Sequence, residues 1–118
     1  LTKPRGLRLP WLRCTPHHLG IDDPRSVHYN QIVDDRVVAC DWTSPETMMP
    51  SNGCYRLGAV IAHNAANKPG AGSCIFMHVW QAPGVPTSGC TAMSLDAMRR
   101  VLVWLDPAKH PRLVQTVE

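Results

Sequence analysis

Residues 74–93 read CIFMHVWQAPGVPTSGCTAM, and this stretch decides how the chain is read. Its first seven residues are apolar apart from one histidine and carry the alternation of a strand. At period 2, Cys74, Phe76, His78 and Trp80 share one face, while Ile75, Met77 and Val79 take the other. The segment QAPGVPTSG holds two prolines and two glycines and reads as a loop. It delivers Cys90 behind Gly89, so a strand histidine and a loop cysteine are expected to meet in one hairpin.

The strongest helix signal in the chain follows at once. In SLDAMRRVLVWLD, Ser94 suits the N-cap and Asp96 the first turn, and Leu95, Met98, Val101, Leu102 and Leu105 form an apolar stripe that stops before Pro107. Upstream, YRLGAVIAHN (residues 55–64) reads as a strand, joined to the opening stretch by the turn-rich AANKPGAG. Further back, QIVDDRVVACDW predicts a brief strand over residues 36–40 after a turn at Asp34 and Asp35, and SPETMMPSNGC reads as a loop or a single helical turn. The first thirty residues read as loops with short extended pieces, and RLVQTV reads as a closing strand. Met48, Met49 and Trp104 are expected to pack, and Tyr29 and Asn30 to hold a turn. The expected fold is mainly β, with one principal α-helix after Cys90, in a single domain over residues 1–118.

The 118 residues carry 12 basic and 9 acidic side chains, a net charge of +3. Arg99 and Arg100 are the only adjacent basic pair and fall inside the helical pattern, so no basic stripe points to nucleic acid. No run approaches the roughly 18 apolar residues of a membrane span, and no signal-peptide pattern is visible in the chain. The five cysteines are an odd number, which leaves at least one thiol unpaired in an oxidising compartment. Cys90 is the candidate; Cys14, Cys40, Cys54 and Cys74 admit three pairings or none.

Cysteine acyl chemistry needs a thiolate, a base to form it and donors for the resulting oxyanion. Cys90 offers the nucleophile four residues before the expected N-cap, and His78 the base. Gly89 lets backbone N–H groups turn toward a bound carbonyl, and Thr87 and Ser88 add hydroxyls for the sulfur or the substrate. Spacing alone leaves a plain buried cysteine and an unrelated histidine open. A zinc site would want paired ligands at short spacing, and a thiol oxidoreductase a Cys-x-x-Cys; the chain has neither, so no metal or other cofactor is expected.

The run GSCIFMHVW…GVPTSGCTAM resembles the signature of the YkuD-type L,D-transpeptidase catalytic domain of bacterial cell-wall enzymes. It is most similar to a compact branch with an HVW strand and a PT.GC loop. DDPRSVHYN, YRLGAVIAHN and LDPAKHPRLVQ extend the resemblance over about residues 20–116. It implies a β-rich, sandwich-based fold, Cys90 as nucleophile, His78 as general base oriented by the Val79 carbonyl, and an oxyanion hole from the Gly89 and Cys90 N–H groups. Thr87, Ser88, Tyr55, His63, Asn64 and Trp80 become candidates for the substrate pocket. For His63 and Asn64 a hydrogen-bonded strand end remains the competing reading, and for Trp80 a place in the core. The implied partners are peptidoglycan stem peptides as donor and acceptor, met by a monomer in the periplasm or another extracytoplasmic space. Two positions depart from the family: Ser88 stands where a second histidine is common, and Ala92 where an arginine or asparagine is. The same residues admit L,D-carboxypeptidase activity, or a domain that binds peptidoglycan without turnover.

Overall fold

The computed structural model describes residues 1–117. Strands β1 (His18–Gly20), β2 (Ile32–Asp34) and β3 (Glu46–Thr47) form one antiparallel sheet in the order β2-β1-β3. Strands β4 (Gly58–Val60), β5 (Phe76–Val79) and β6 (Thr91–Met93) form the second, in the order β4-β5-β6. Helix α1 (Leu95–Trp104) follows β6 directly, and single 3-10 turns lie at Cys54–Arg56 and Pro107–Lys109. Strand covers about 15% of the chain and helix about 14%, so the mainly β expectation reduces to two small sheets and one α-helix. The physical reason lies in the composition: 11 prolines and 8 glycines interrupt extension before any strand passes four residues.

β5 is buried along its whole length. Met77 and Val79 pack with Leu57 and with Met98 and Leu102 of α1, while Phe76 packs with Met48 and Cys74. The two faces expected from period 2 thus serve two different cores. A third cluster, Ile21, Val33 and Trp42, closes the first sheet. Burying Met98 and Leu102 contributes about 1.5–3 kcal/mol each and fastens α1 to the second sheet. The helix begins as expected: Ser94 Oγ accepts the Ala97 N–H at 3.2 Å. Its last carbonyls are also held, since Arg8 donates to Val103 O and Trp104 O at 3.2 and 3.1 Å.

β5 and β6 run parallel, with Met77 opposite Thr91, His78 opposite Ala92 and Val79 opposite Met93. The expected hairpin is therefore a crossover, and residues 80–90 carry the chain back to the start of β5 instead of turning beside its end. Other expectations change as well. The strand placed at residues 36–40 is found at Ile32–Asp34, because Asp34 caps the turn that follows by accepting the Arg36 N–H at 3.0 Å. The loop reading of SPETMM contains β3. RLVQTV forms no strand and its residues lie exposed, tied by the Gln115 amide donating to Thr91 Oγ1 at 3.1 Å. Trp104 is 73% exposed and does not pack in a core, whereas Met48 does.

Asn30 joins the two halves of the chain. Its amide donates to Asn64 O at 2.9 Å and to His63 O at 3.2 Å, and its carbonyl accepts the Cys74 N–H at 3.0 Å. Cys74 sits there at φ 54°, a left-handed conformation uncommon for a residue with a Cβ.

Gly58 gives the clearest stability test. A Cβ at this position would lie 2.7 Å from the Met77 carbonyl oxygen, which is backbone and cannot swing away. Gly58→Ala is expected to force β4 from β5 and lower the stability to chemical denaturation by about 1–3 kcal/mol. Gly70→Ala is the comparison for a crowded site against an open one, since nothing lies within 4 Å of its added carbon and only the backbone φ of +79° resists.

Candidate active site

β5 presents His78 as a buried polar side chain, 7% exposed. Its Nδ1 lies 2.8 Å from the carbonyl oxygen of Val79. A carbonyl only accepts, so Nδ1 carries the proton and Nε2 keeps a lone pair. The hydrogen bond satisfies one end of the ring and fixes the tautomer a general base requires. Tyr55, from the 3-10 turn, meets His78 edge to face, with ring centroids 5.1 Å apart and planes at 73°. It meets Phe76 in the same manner at 5.6 Å and 87°.

The crossover sets Cys90 beside the beginning of β5. Cys90 Sγ accepts the Phe76 N–H at 3.4 Å and approaches Cys74 O at 3.7 Å. Burial pushes the Cys90 thiol up; the Phe76 N–H opposes this, the Glu46 carboxylate adds to it, and the Tyr55 hydroxyl opposes it. These surroundings favour the thiol over the thiolate, and Sγ faces a backbone carbonyl with no hydrogen bond joining it to His78. Cys74 is raised further, to about 12, chiefly by burial. All five cysteines are free, and no disulfide forms.

Both groups line one cleft of about 540 Å3. Tyr55, Trp80, Thr87, Ser88, Gly89 and Ala92 line it too, and so do Asp22, Glu46 and Cys74. The structure therefore brings together most of the residues singled out from the sequence. His63 and Asn64 lie outside the lining: His63 Nε2 is 3.1 Å from Ala71 O, and the Asn64 amide donates to Lys68 O and Gly72 O at 2.9 and 3.0 Å. They hold the 64–72 turn, which is the strand-end reading. Val79 contributes its carbonyl and buries its side chain in the core at 1% exposure.

The loop before the thiol is set by Thr87. Its hydroxyl donates to Cys90 O at 2.5 Å and accepts the Gly89 N–H at 3.3 Å. The Gly89 N–H is thus already engaged, whereas that of Cys90 meets no acceptor among the described residues. An oxyanion hole from both groups needs Gly89 to exchange Thr87 for the substrate, and the length of that bond makes the exchange inexpensive. Gly89 has a φ of +150°, a conformation that favours glycine, although an added Cβ would meet nothing closer than Ile75 Cδ1 at 3.5 Å.

Glu46 and Asp22 were absent from the sequence reading. Glu46 accepts the Tyr55 hydroxyl hydrogen bond, and no Lys or Arg lines the cleft. A single carboxylate in a proline-bounded loop carries no periodicity, and only the pairing of β3 with β1 brings it here. No three His, Cys, Asp or Glu side chains converge on a metal-sized site among the described residues. No helix among them is long and apolar enough to cross a membrane. Compared with protein-family models, with curated proteins and with solved structures, the chain matches none.

A raised thiol without a histidine contact has a direct signature. Alkylation of Cys90 by iodoacetamide, followed by peptide mass spectrometry, should accelerate with pH through an inflection above the ordinary thiol range. A plateau already reached below pH 7 would instead reveal a resting thiolate–imidazolium pair.

Proposed function

We propose that the chain is a cysteine acyltransferase of the L,D-transpeptidase type, acting on peptidoglycan stem peptides in an extracytoplasmic space. The observation that carries this is the His78 ring, held by Val79 O as the Nδ1–H tautomer and lining the cleft that contains the Cys90 thiol. The YkuD-like resemblance of the surrounding sequence supplies the reaction class and the finer, sandwich-based fold assignment.

In this reading the Cys90 side chain leaves Cys74 O, and Nε2 of His78 takes its proton as the sulfur attacks the donor carbonyl. A C–S bond forms, and the carbonyl electron pair moves onto oxygen, facing the Cys90 N–H and the Gly89 N–H released from Thr87. Collapse breaks the C–N bond, and the imidazolium returns its proton to the leaving amine of a terminal D-alanine. An acceptor amine then attacks the thioester, losing its proton through Nε2, and the thiol is restored. Water in place of the amine gives carboxypeptidase activity. A cleft with two carboxylates and no Lys or Arg is suited to receiving an amine acceptor.

A second reading, a domain that binds peptidoglycan without turnover, is favoured by the thiol's contact with Cys74 O in place of His78. One experiment separates the two. Incubation with a tetrapeptide muropeptide should release D-alanine, and a carbapenem should leave a covalent adduct on Cys90. Cys90→Ala should abolish both, and His78→Gln should slow them by about 10²–10⁴-fold. Binding of the muropeptide with neither adduct nor release would establish the second reading, and unchanged turnover in Cys90→Ala would end the first.

A further inference from the structure

Tyr55 touches several parts of the candidate site at once. Its hydroxyl donates to Glu46, its ring stands edge-on to His78, and it packs in the small core formed around Met48, Cys74 and Phe76, which Cys90 also joins. Glu46 lines the same cleft as Cys90 and raises its thiol electrostatically, and it reaches the cleft from a different sheet. An unrestrained carboxylate next to a nucleophilic thiol disfavours the thiolate and so opposes the first chemical step. A donor that occupies that carboxylate draws its charge away from the sulfur.

We propose that Tyr55 is a positioning residue that couples Glu46 to the Cys90–His78 pair, holding the Glu46 carboxylate on its hydroxyl and the His78 ring against its own ring. The consequence for catalysis rests on the reading of Cys90 as nucleophile; the coupling itself does not. Glu46 is then a restraint on the thiol, and Tyr55 is the group that moderates it. The arrangement sets the pH at which the nucleophile becomes available, and it requires neither metal nor third catalytic acid.

The other titratable groups around Cys90 are few. β5 contributes His78, the segment before it Cys74, the 3-10 turn Cys54, and the loop after β1 Asp22, all lining the same cleft. Burial of the Tyr55 phenol and its bond to Glu46 push its own ionisation far above the ordinary range, so it remains a donor throughout the accessible pH. Cys74 is held neutral by the burial described above. The carboxylate charge that bears on Cys90 therefore comes from Glu46, whereas Asp22 bears on Cys74, and His78 is the base in the proposed reaction.

The test uses two substitutions that keep shape and differ in sign. Glu46→Gln retains an acceptor for the Tyr55 hydroxyl and removes the charge. Tyr55→Phe retains both ring contacts and frees the carboxylate. Alkylation of Cys90 by iodoacetamide is followed against pH by peptide mass spectrometry, with thermal unfolding and near-UV circular dichroism on each variant. Glu46→Gln should move the inflection to lower pH and speed alkylation at pH 7 by about threefold or more, equal to half a pKa unit. Tyr55→Phe should move it to higher pH and slow alkylation by a similar factor. In the double variant, removal of the hydroxyl should have a smaller effect than in the parent. Shifts of the same sign, or no shift in folded Glu46→Gln, would overturn the proposal. Should Tyr55→Phe fail to fold, the direction given by Glu46→Gln still decides. The assay uses no cell-wall substrate: opposite shifts without muropeptide turnover would count against the proposed reaction alone, and turnover without the shifts against the coupling alone.

Discussion

The structure depends on burying β5 on both faces. Four residues, Phe76, Met77, His78 and Val79, separate two apolar clusters, and neighbours on either side satisfy their backbone: β4 antiparallel and β6 parallel. A register slip of one residue would drive His78 into the Met98 and Leu102 cluster and pull Met77 or Val79 into the polar cleft. The register is thus enforced by the cost of exchanging a polar ring for an apolar side chain on each face. Since β6 is paired to β5 in that register, the location of Cys90 follows from the location of His78. One constraint fixes both members of the pair, although they stand on different segments of the chain.

This explains which features could be read in the sequence. Alternation in CIFMHVW and the stripe of α1 are local patterns produced by burial; the stripe held along the helix, while the strand narrowed to Phe76–Val79 because Cys74 turns at φ 54°. Direction of pairing leaves no such trace, because a strand has the same alternation whether its neighbour runs with it or against it. The proline-rich connection therefore looked like a hairpin loop and proved to be a crossover. RLVQTV has the composition of a strand but pairs with no sheet edge, and only the Gln115 side chain reaches β6, so propensity alone did not make a strand. Trp104 lies in the helix yet away from the stripe set by Met98 and Leu102, and its size did not bring it inside.

The candidate site divides in the same manner. His78, Thr87, Ser88, Gly89 and Cys90 lie within one short stretch, and their convergence was legible from it. Trp80 lies in the same stretch, directly after β5, and Tyr55 reaches the cleft from the 3-10 turn before β4. Asn64 and His63 read equally well as pocket or turn residues; the hydrogen bonds to Lys68 O, Gly72 O and Ala71 O decide for the turn. Glu46 comes from the other sheet and needs tertiary structure to be seen at all. The residues missed are those whose relation to the thiol is long-range and electrostatic, a relation that no spacing in the chain expresses.

The partner chosen for His78 Nδ1 has its own chemical consequence. A carboxylate in that place would stabilise the imidazolium strongly and would favour a resting ion pair with the thiol. A backbone carbonyl orients the ring equally well but brings only a dipole. It therefore holds the tautomer without drawing the proton from Cys90 before a substrate arrives. The half-buried Cys90 thiol, raised by its surroundings and set against Cys74 O, agrees with this restraint. In the proposed reaction, a proton on Nε2 would make both ring nitrogens donors: one would remain on Val79 O, and the other would face the leaving amine. The proposed reaction asks the ring to serve first as base and then as acid, and the Nδ1–Val79 O bond is compatible with both steps without reorientation.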